Sequence, residues 1–229
     1  MIGTLINFAA IIAGTALGLL LRKGIPERMR ETVMQGLGLC VLLIGVSGAI
    51  KTGDTMCVII SMVVGGLLGS AINIERRLNQ LGDFAERKLL NGRNDSTFAK
   101  GFVTASLVYC VGAMAIVGAM DSGLRGNHAT LIAKSALDGV SAIFFASTMG
   151  AGVGLSAVAV LVYQGAIALL ATWIAPILTD PIINEMSAVG SLLIIGIGLN
   201  MIYDKHIAVG NLLPAIFVPM VYVPLTQLF

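Results

Sequence analysis

Charge is scarce in this chain. Asp, Glu, Lys and Arg together make up 11% of its 229 residues, against roughly a quarter of an ordinary soluble domain. Side chains this poor in charge cannot cover a water-facing surface, which excludes a water-soluble domain. The net charge of +2 gives no overall basic field for a nucleic acid. Histidine is limited to His128 and His206, and cysteine to Cys40, Cys57 and Cys110. The cysteines sit singly inside apolar runs, without CxxC or Cys/His spacing, so no metal centre is expected. No Ser/His/Asp or HExxH constellation occurs. Gly150-Ala151-Gly152-Val153-Gly154 lacks the G-x-G-x-x-G spacing, a preceding strand and a P-loop lysine; it reads as a turn. Neither an enzyme nor a cofactor is expected.

What the chain does have is apolar length. Apolar residues make up 57% of it and the mean hydropathy is +0.94. A spanning helix needs ~20 mainly apolar residues, and eight such stretches can be placed, over 2–21, 34–50, 56–73, 99–121, 129–148, 152–174, 185–203 and 207–226. The expected fold is an all-α polytopic membrane bundle forming a single integral domain over 1–229. Span five carries Lys134 and Asp138 and is the most questionable crossing; as a re-entrant segment it would reduce the count to seven. Residues 2–21 read as a retained span, because Arg22 and Lys23 follow the apolar stretch instead of preceding it.

The joins set the orientation. Residues 22–33 form a short basic loop, with a helix expected to start at Pro26. Residues 74–100 are the one long hydrophilic stretch, and Ile74, Leu78, Leu81, Ala85 and Leu89 recur in it at helical spacing. An amphipathic helix along the membrane surface is expected there, ended by Asn91-Gly92. With eight spans, the odd-numbered loops hold Arg22, Lys23, Arg28, Arg30, Arg76, Arg77, Arg87, Lys88, Arg93, Lys100 and Lys205; the even-numbered loops hold Lys51 and Arg125. The positive-inside rule therefore places the odd loops in the cytoplasm and the N-terminus outside.

Residues 34–50 resemble 186–202, with Met34 over Met186 and Gly38 over Gly190. Extending that offset pairs spans one to three with spans six to eight as an inverted repeat, an arrangement typical of transporters. The competing explanation is chance likeness between glycine-rich apolar helices, of which this chain, with 28 glycines, has several.

Candidate functional residues are the polar ones inside spans. Lys134, Asp138, Ser141 and Thr148 line one face of span five. A charge at mid-bilayer costs roughly 2.5–3.5 kcal/mol on insertion scales, so two in one span mark either a cavity-lining site or a self-neutralising structural pair. Asn7, Gln164, Asn200 and Asn211 are the further candidates for a substrate or ion path. Asn7 shares a face with Gly3, Gly14 and Gly18, the last two at GxxxG spacing suited to close packing. Glu185 lies near a membrane end and reads as a solvated carboxylate. Asn200 and Asn211 flank the turn around Asp204-Lys205 and could equally cap helices. Pro214, Pro219 and Pro224 interrupt the last span, making Asn211–Pro214 a candidate unwound segment.

The block from Gly126 to Gly165 includes Lys134-Ser135, Leu137-Asp138-Gly139 and Tyr163-Gln164-Gly165. Together with residues 188–200 and Gly210-Asn211-Leu212-Leu213-Pro214, it resembles a bacterial family of integral membrane proteins, domain of unknown function 554, the YqgA-like proteins. The resemblance covers essentially the whole chain and implies a multi-pass protein of the bacterial cytoplasmic membrane, without supplying an activity. The function expected is transport of a small solute or ion, in which Asp138 takes a cationic group and Lys134 tunes its charge. Alternatives are a passive channel of the same fold and a non-transporting scaffold. The expected partners are the lipid bilayer and the solute, with self-association into a homo-oligomer in keeping with the glycine-rich helices.

Overall fold

A computed structural model of the chain describes residues 1–22, 26–89, 97–203 and 207–226. Among these there is no strand. The helices are α1 (Ile2–Arg22), α2 (Glu27–Ala49), α3 (Thr55–Ile72), α4 (Ile74–Leu89), α5 (Phe98–Cys110), α6 (Ala113–Leu124), α7 (Ala129–Met149), α8 (Gly152–Leu169), α9 (Ala171–Ile174), α10 (Asp180–Ile202), a 3-10 helix (Val209–Phe217) and α11 (Pro219–Thr226). Seven segments are long and apolar enough to span alone, and the α5–α6 pair, bent by 63°, supplies an eighth.

The helix registers show that the bent pair crosses. Gly14 lies against Gly139 and Gly18 against Ile143, so α1 and α7 advance together and run parallel. Parallel helices need an odd number of crossings between them. The α2 and α3 helices supply two, and the α5–α6 pair supplies the third. Other contacts agree: Gly152 meets Phe98 at the start of α8, while Gly123 of α6 meets Ala168 near its end. Span five, the crossing the sequence left in doubt, is the unbroken α7. The irregular crossing is span four, interrupted at Val111-Gly112, where Gly112 has φ +122°, a conformation that favours glycine.

Two other boundaries differ from the sequence reading. The α10 helix starts at Asp180 with Pro181 in its first turn, five residues before the apolar run. Glu185 is consequently buried and not solvated, 5% exposed; its carboxylate accepts bonds from Thr52 Oγ1, Gly53 N and Asn184 Nδ2. The last span is not fully unwound: residues 209–217 are a 3-10 helix with Pro214 inside it, an unusually long run for that geometry. It presses onto glycines of α3. A Cβ at Gly65 would stand 2.2 Å from Ala215 N, so no other residue fits there without displacement.

α4 forms where the surface helix was expected, with Asn73 ending α3 in the left-handed region at φ 56°. Glu75 ties it to the last span: its carboxylate accepts from Gly210 N, and its own N–H donates to Asn211 Oδ1 at 2.9 Å. The side chains of Arg30, Leu81, Ala85, Arg87, Lys88 and Leu89, and the whole of Lys23, Asn91, Gly92, Arg93, Asp204 and Lys205, lie outside what the structure describes.

The helices group into two lobes. One packs α1, α7 and α8 with the α5–α6 pair; the other packs α2, α3, α10 and the 3-10 helix with α11. The partners α2/α10 and α3/3-10 helix run antiparallel, since Gly38 meets Gly198, Gly45 meets Ser191, Gly65 meets Ala215 and Gly69 meets Asn211. Spans two and three thus lie antiparallel against spans seven and eight, the same spans that the sequence offset paired. Large apolar side chains such as Leu39, Leu43, Val63, Leu67, Leu137 and Phe144 point outward, as the bilayer requires. Trp173 and Tyr203 are exposed at opposite ends, the position of interfacial aromatics.

Candidate functional site

Three spans of the first lobe converge on one polar cluster. The stripe on α7 turns Lys134 and Asp138 inward, each 6% exposed. Lys134 Nζ donates to Asp138 Oδ2 at 2.5 Å, the i,i+4 neighbour one helical turn on. From α1, Asn7 Nδ2 donates to the same Oδ2 at 2.9 Å and reaches Gln164 Oε1 of α8 at 3.5 Å. Both amides are fully buried. The Lys134 ammonium also lies 5.9 Å from the ring centroid of Tyr109, within cation–π range. Asn7 reaches α7 because Gly14 and Gly18 bring the two helices into backbone contact, with Gly3 against the Leu131 side chain; the GxxxG face thus positions the site.

Counting 1.5 Å per residue, Asp138 lies about 13 Å from the start of α7. Asn7 and Gln164 are each about 8 Å from the helix end nearer the N-terminus. The cluster is therefore in the half of the membrane facing the Met1 side.

Its hydrogen-bonding capacity is partly unused. Among the described residues, Asn7 Oδ1, Gln164 Nε2 and the Tyr109 hydroxyl are buried without a partner, and Asp138 Oδ1 accepts no bond. Thr4 Oγ1 and Thr15 Oγ1 are likewise buried and unpartnered; with Asn7 they follow one stripe of α1. Orphaned buried polar atoms cost about 1–3 kcal/mol each, so a concentration of them is a feature to be explained by what the site takes.

The other candidates go elsewhere. Ser141 donates to Leu137 O and Asp138 O of its own helix, as Thr148 does to Phe144 O and Phe145 O. Asn200 donates to Ile207 O and accepts from Ile207 N, and Asn211 is held by Glu75. The structure brings Lys134, Asp138, Asn7 and Gln164 together and leaves Asn200 and Asn211 at the opposite face. Tyr109 is the member that sequence reasoning missed; a lone tyrosine inside an apolar run gave no signal.

Beside the cluster, between the lobes, is a cavity of about 170 Å³ with an almost wholly apolar lining. It is walled by the break of span four at Cys110, Val111 and Gly112, by Tyr163 of α8, by Met186 of α10, and by the 3-10 helix at Ile216. None of the cluster's side chains lines it; Cys110 and Tyr163, which do, are the chain neighbours of Tyr109 and Gln164. No group of three or more His, Cys, Asp or Glu able to hold a metal occurs among the described residues.

Comparison with known proteins places the chain in a family. The model of the family described as Protein of unknown function (DUF554) matches residues 2–224. The Uncharacterized membrane protein YdfK of Bacillus subtilis is 33% identical over 227 residues, 97% of this chain and 96% of that protein. The Uncharacterized protein YqgA of Escherichia coli is 31% identical over 223 residues, 96% of this chain and 95% of its own. No solved structure matches. A multi-pass helical protein matched from end to end in this way belongs to the DUF554 family of membrane proteins.

Proposed function

We propose that the chain is a transporter of a small solute or ion in the bacterial cytoplasmic membrane, not an enzyme, with the Lys134–Asp138 pair at its binding site. One observation carries the reading: two ionisable side chains are buried inside a membrane span together with two amides from other spans whose remaining polar atoms have no partner. Intramembrane ionisable residues are costly, and they generally mark substrate or ion pathways. The setting supports it. The site borders a junction between two lobes, and the junction is built from a broken span and a 3-10 span, as transporter sites commonly are.

The orientation in this proposal follows the charges. Arg22, Arg28, Arg76, Arg77 and Lys100 sit on one face, and Lys51 and Arg125 on the other. The basic face would be cytoplasmic and the Met1 side external, so the site would open outward. The direct Lys134–Asp138 bond is also what a closed structural pair in a non-transporting scaffold would show.

Solute-evoked currents or counterflow in proteoliposomes, screened over ions and metabolites, separate these readings. Transport predicts a signal that Asp138→Asn abolishes while the variant still folds; a normal signal in that variant would overturn the site. Conduction without counterflow would identify a channel.

A further inference from the structure

The charges, the spare polar atoms and the cavity together specify more than "a solute". The cluster is neutral as a whole, one basic and one acidic side chain, and its other polar members are amides and a phenol. A ligand of single charge entering it would leave an unbalanced charge in a low-dielectric site, which is strongly unfavourable. A ligand carrying both signs would not. The spare capacity has both polarities too. On the acceptor side are Asp138 Oδ1 and Asn7 Oδ1; on the donor side are Gln164 Nε2 and the Lys134 N–H groups not given to Asp138. One residue further along span four and α8, at Cys110 and Tyr163, the structure offers an apolar cavity of about 170 Å³, similar to the 150 Å³ or so that accommodates benzene in a protein interior.

Resting on the transport reading above, we infer that the substrate is a small zwitterion with a short apolar tail, of the α-amino-acid type. Its ammonium lies at Asp138 and Asn7, its carboxylate at Lys134 and Gln164, and its tail in the cavity at the Val111-Gly112 break. The internal Lys134–Asp138 pair is exchanged for two pairs with the ligand, so the site stays neutral throughout. Sugars fail on the apolar lining, and inorganic ions fail on the cavity.

The test is radioligand binding to the full-length protein in lipid nanodiscs, with tritiated leucine and tritiated phenylalanine as probes. The expected result is saturable binding displaced by the unlabelled amino acid. Competition by isovalerate (no ammonium), isopentylamine (no carboxylate) and glycine (no tail) should be at least tenfold weaker than competition by leucine. Ile216→Trp, which fills the cavity, should weaken binding at least tenfold at an unchanged melting temperature. Absence of binding by both probes, or equal competition by isovalerate or isopentylamine, would overturn the assignment; the competition series uses the unaltered protein and does not depend on any variant folding. Failure here with a water-reactive cysteine at position 138 would refute the zwitterion and leave the transport reading. An inert position 138 would refute the path itself.

Discussion

The Val111 side chain occupies the space that a side chain at Gly190 would need: a Cβ there would stand 2.3 Å from Val111 Cγ1. The residue at the break of span four is thus seated on α10, the most deeply buried span of the opposite lobe. A valine is stiff about χ1 and cannot swing away. Gly190→Ala should therefore lower stability by about 1–3 kcal/mol, the usual cost of overpacking, seen as a lower melting temperature in detergent. Val111→Ala should restore most of the loss in the double variant. An unchanged melting temperature for Gly190→Ala would contradict this seating.

The charge pair makes a second prediction. Lys134→Met strands a buried carboxylate and should cost about 3–5 kcal/mol, as removing one partner of a buried pair does. The double variant Lys134→Met/Asp138→Asn removes both charges, and it should melt at a higher temperature than Lys134→Met alone. Additive losses would show that the two side chains do not depend on each other.

Glycines on α1 and α2 provide an internal contrast. A Cβ at Gly14 would lie 2.2 Å from the Gly139 carbonyl oxygen, a backbone atom, whereas one at Gly36 would meet nothing within 4 Å. Gly14→Ala should be strongly destabilising and should separate Asn7 from Asp138. Gly36→Ala should be neutral or stabilising by roughly 0.5–1 kcal/mol, the helix preference of alanine over glycine. Thermal unfolding of the two variants side by side checks both signs.

Glu185 holds the 50–54 loop to the top of α10 through Thr52 and Gly53. Glu185→Leu leaves the Gly53 N–H and the Thr52 hydroxyl without their acceptor, at about 1–3 kcal/mol for an orphaned group. Protease cutting in this loop should accelerate in intact proteoliposomes, while cutting elsewhere stays constant. Equal protection in both proteins would mean that the loop is held by something else.

These relationships were unequally legible in the sequence. The spans could be counted because apolar run length is a direct demand of the bilayer, and Lys134 and Asp138 stood out against it. Gly14 and Gly18 announced close packing, and they do pack on α7. The break of span four could not be found: Val111-Gly112 looks like any other valine-glycine pair in a chain with 28 glycines, and the contact of Val111 with Gly190 joins positions almost 80 residues apart. Glu185 was misjudged because its acceptor role is met by a loop more than 130 residues away in sequence. Asn7 and Gln164 were visible as polar residues in spans, but their meeting at Asp138 depends on how α1, α7 and α8 pack. Asn200 and Asn211 had the same composition signal and went instead to backbone groups at the opposite face.

The central claim is that Asp138 belongs to a path reached by water. Its most direct test is the chemical reactivity of a cysteine at that position. With Cys40, Cys57 and Cys110 replaced by serine, Asp138→Cys in oriented proteoliposomes is exposed to a membrane-impermeant methanethiosulfonate reagent from each side in turn. The account predicts labelling from the Met1 side, slowed by substrate. A cysteine at 138 inert from both sides, in a protein that retains its melting behaviour, would contradict it and leave Lys134 and Asp138 as a closed structural pair.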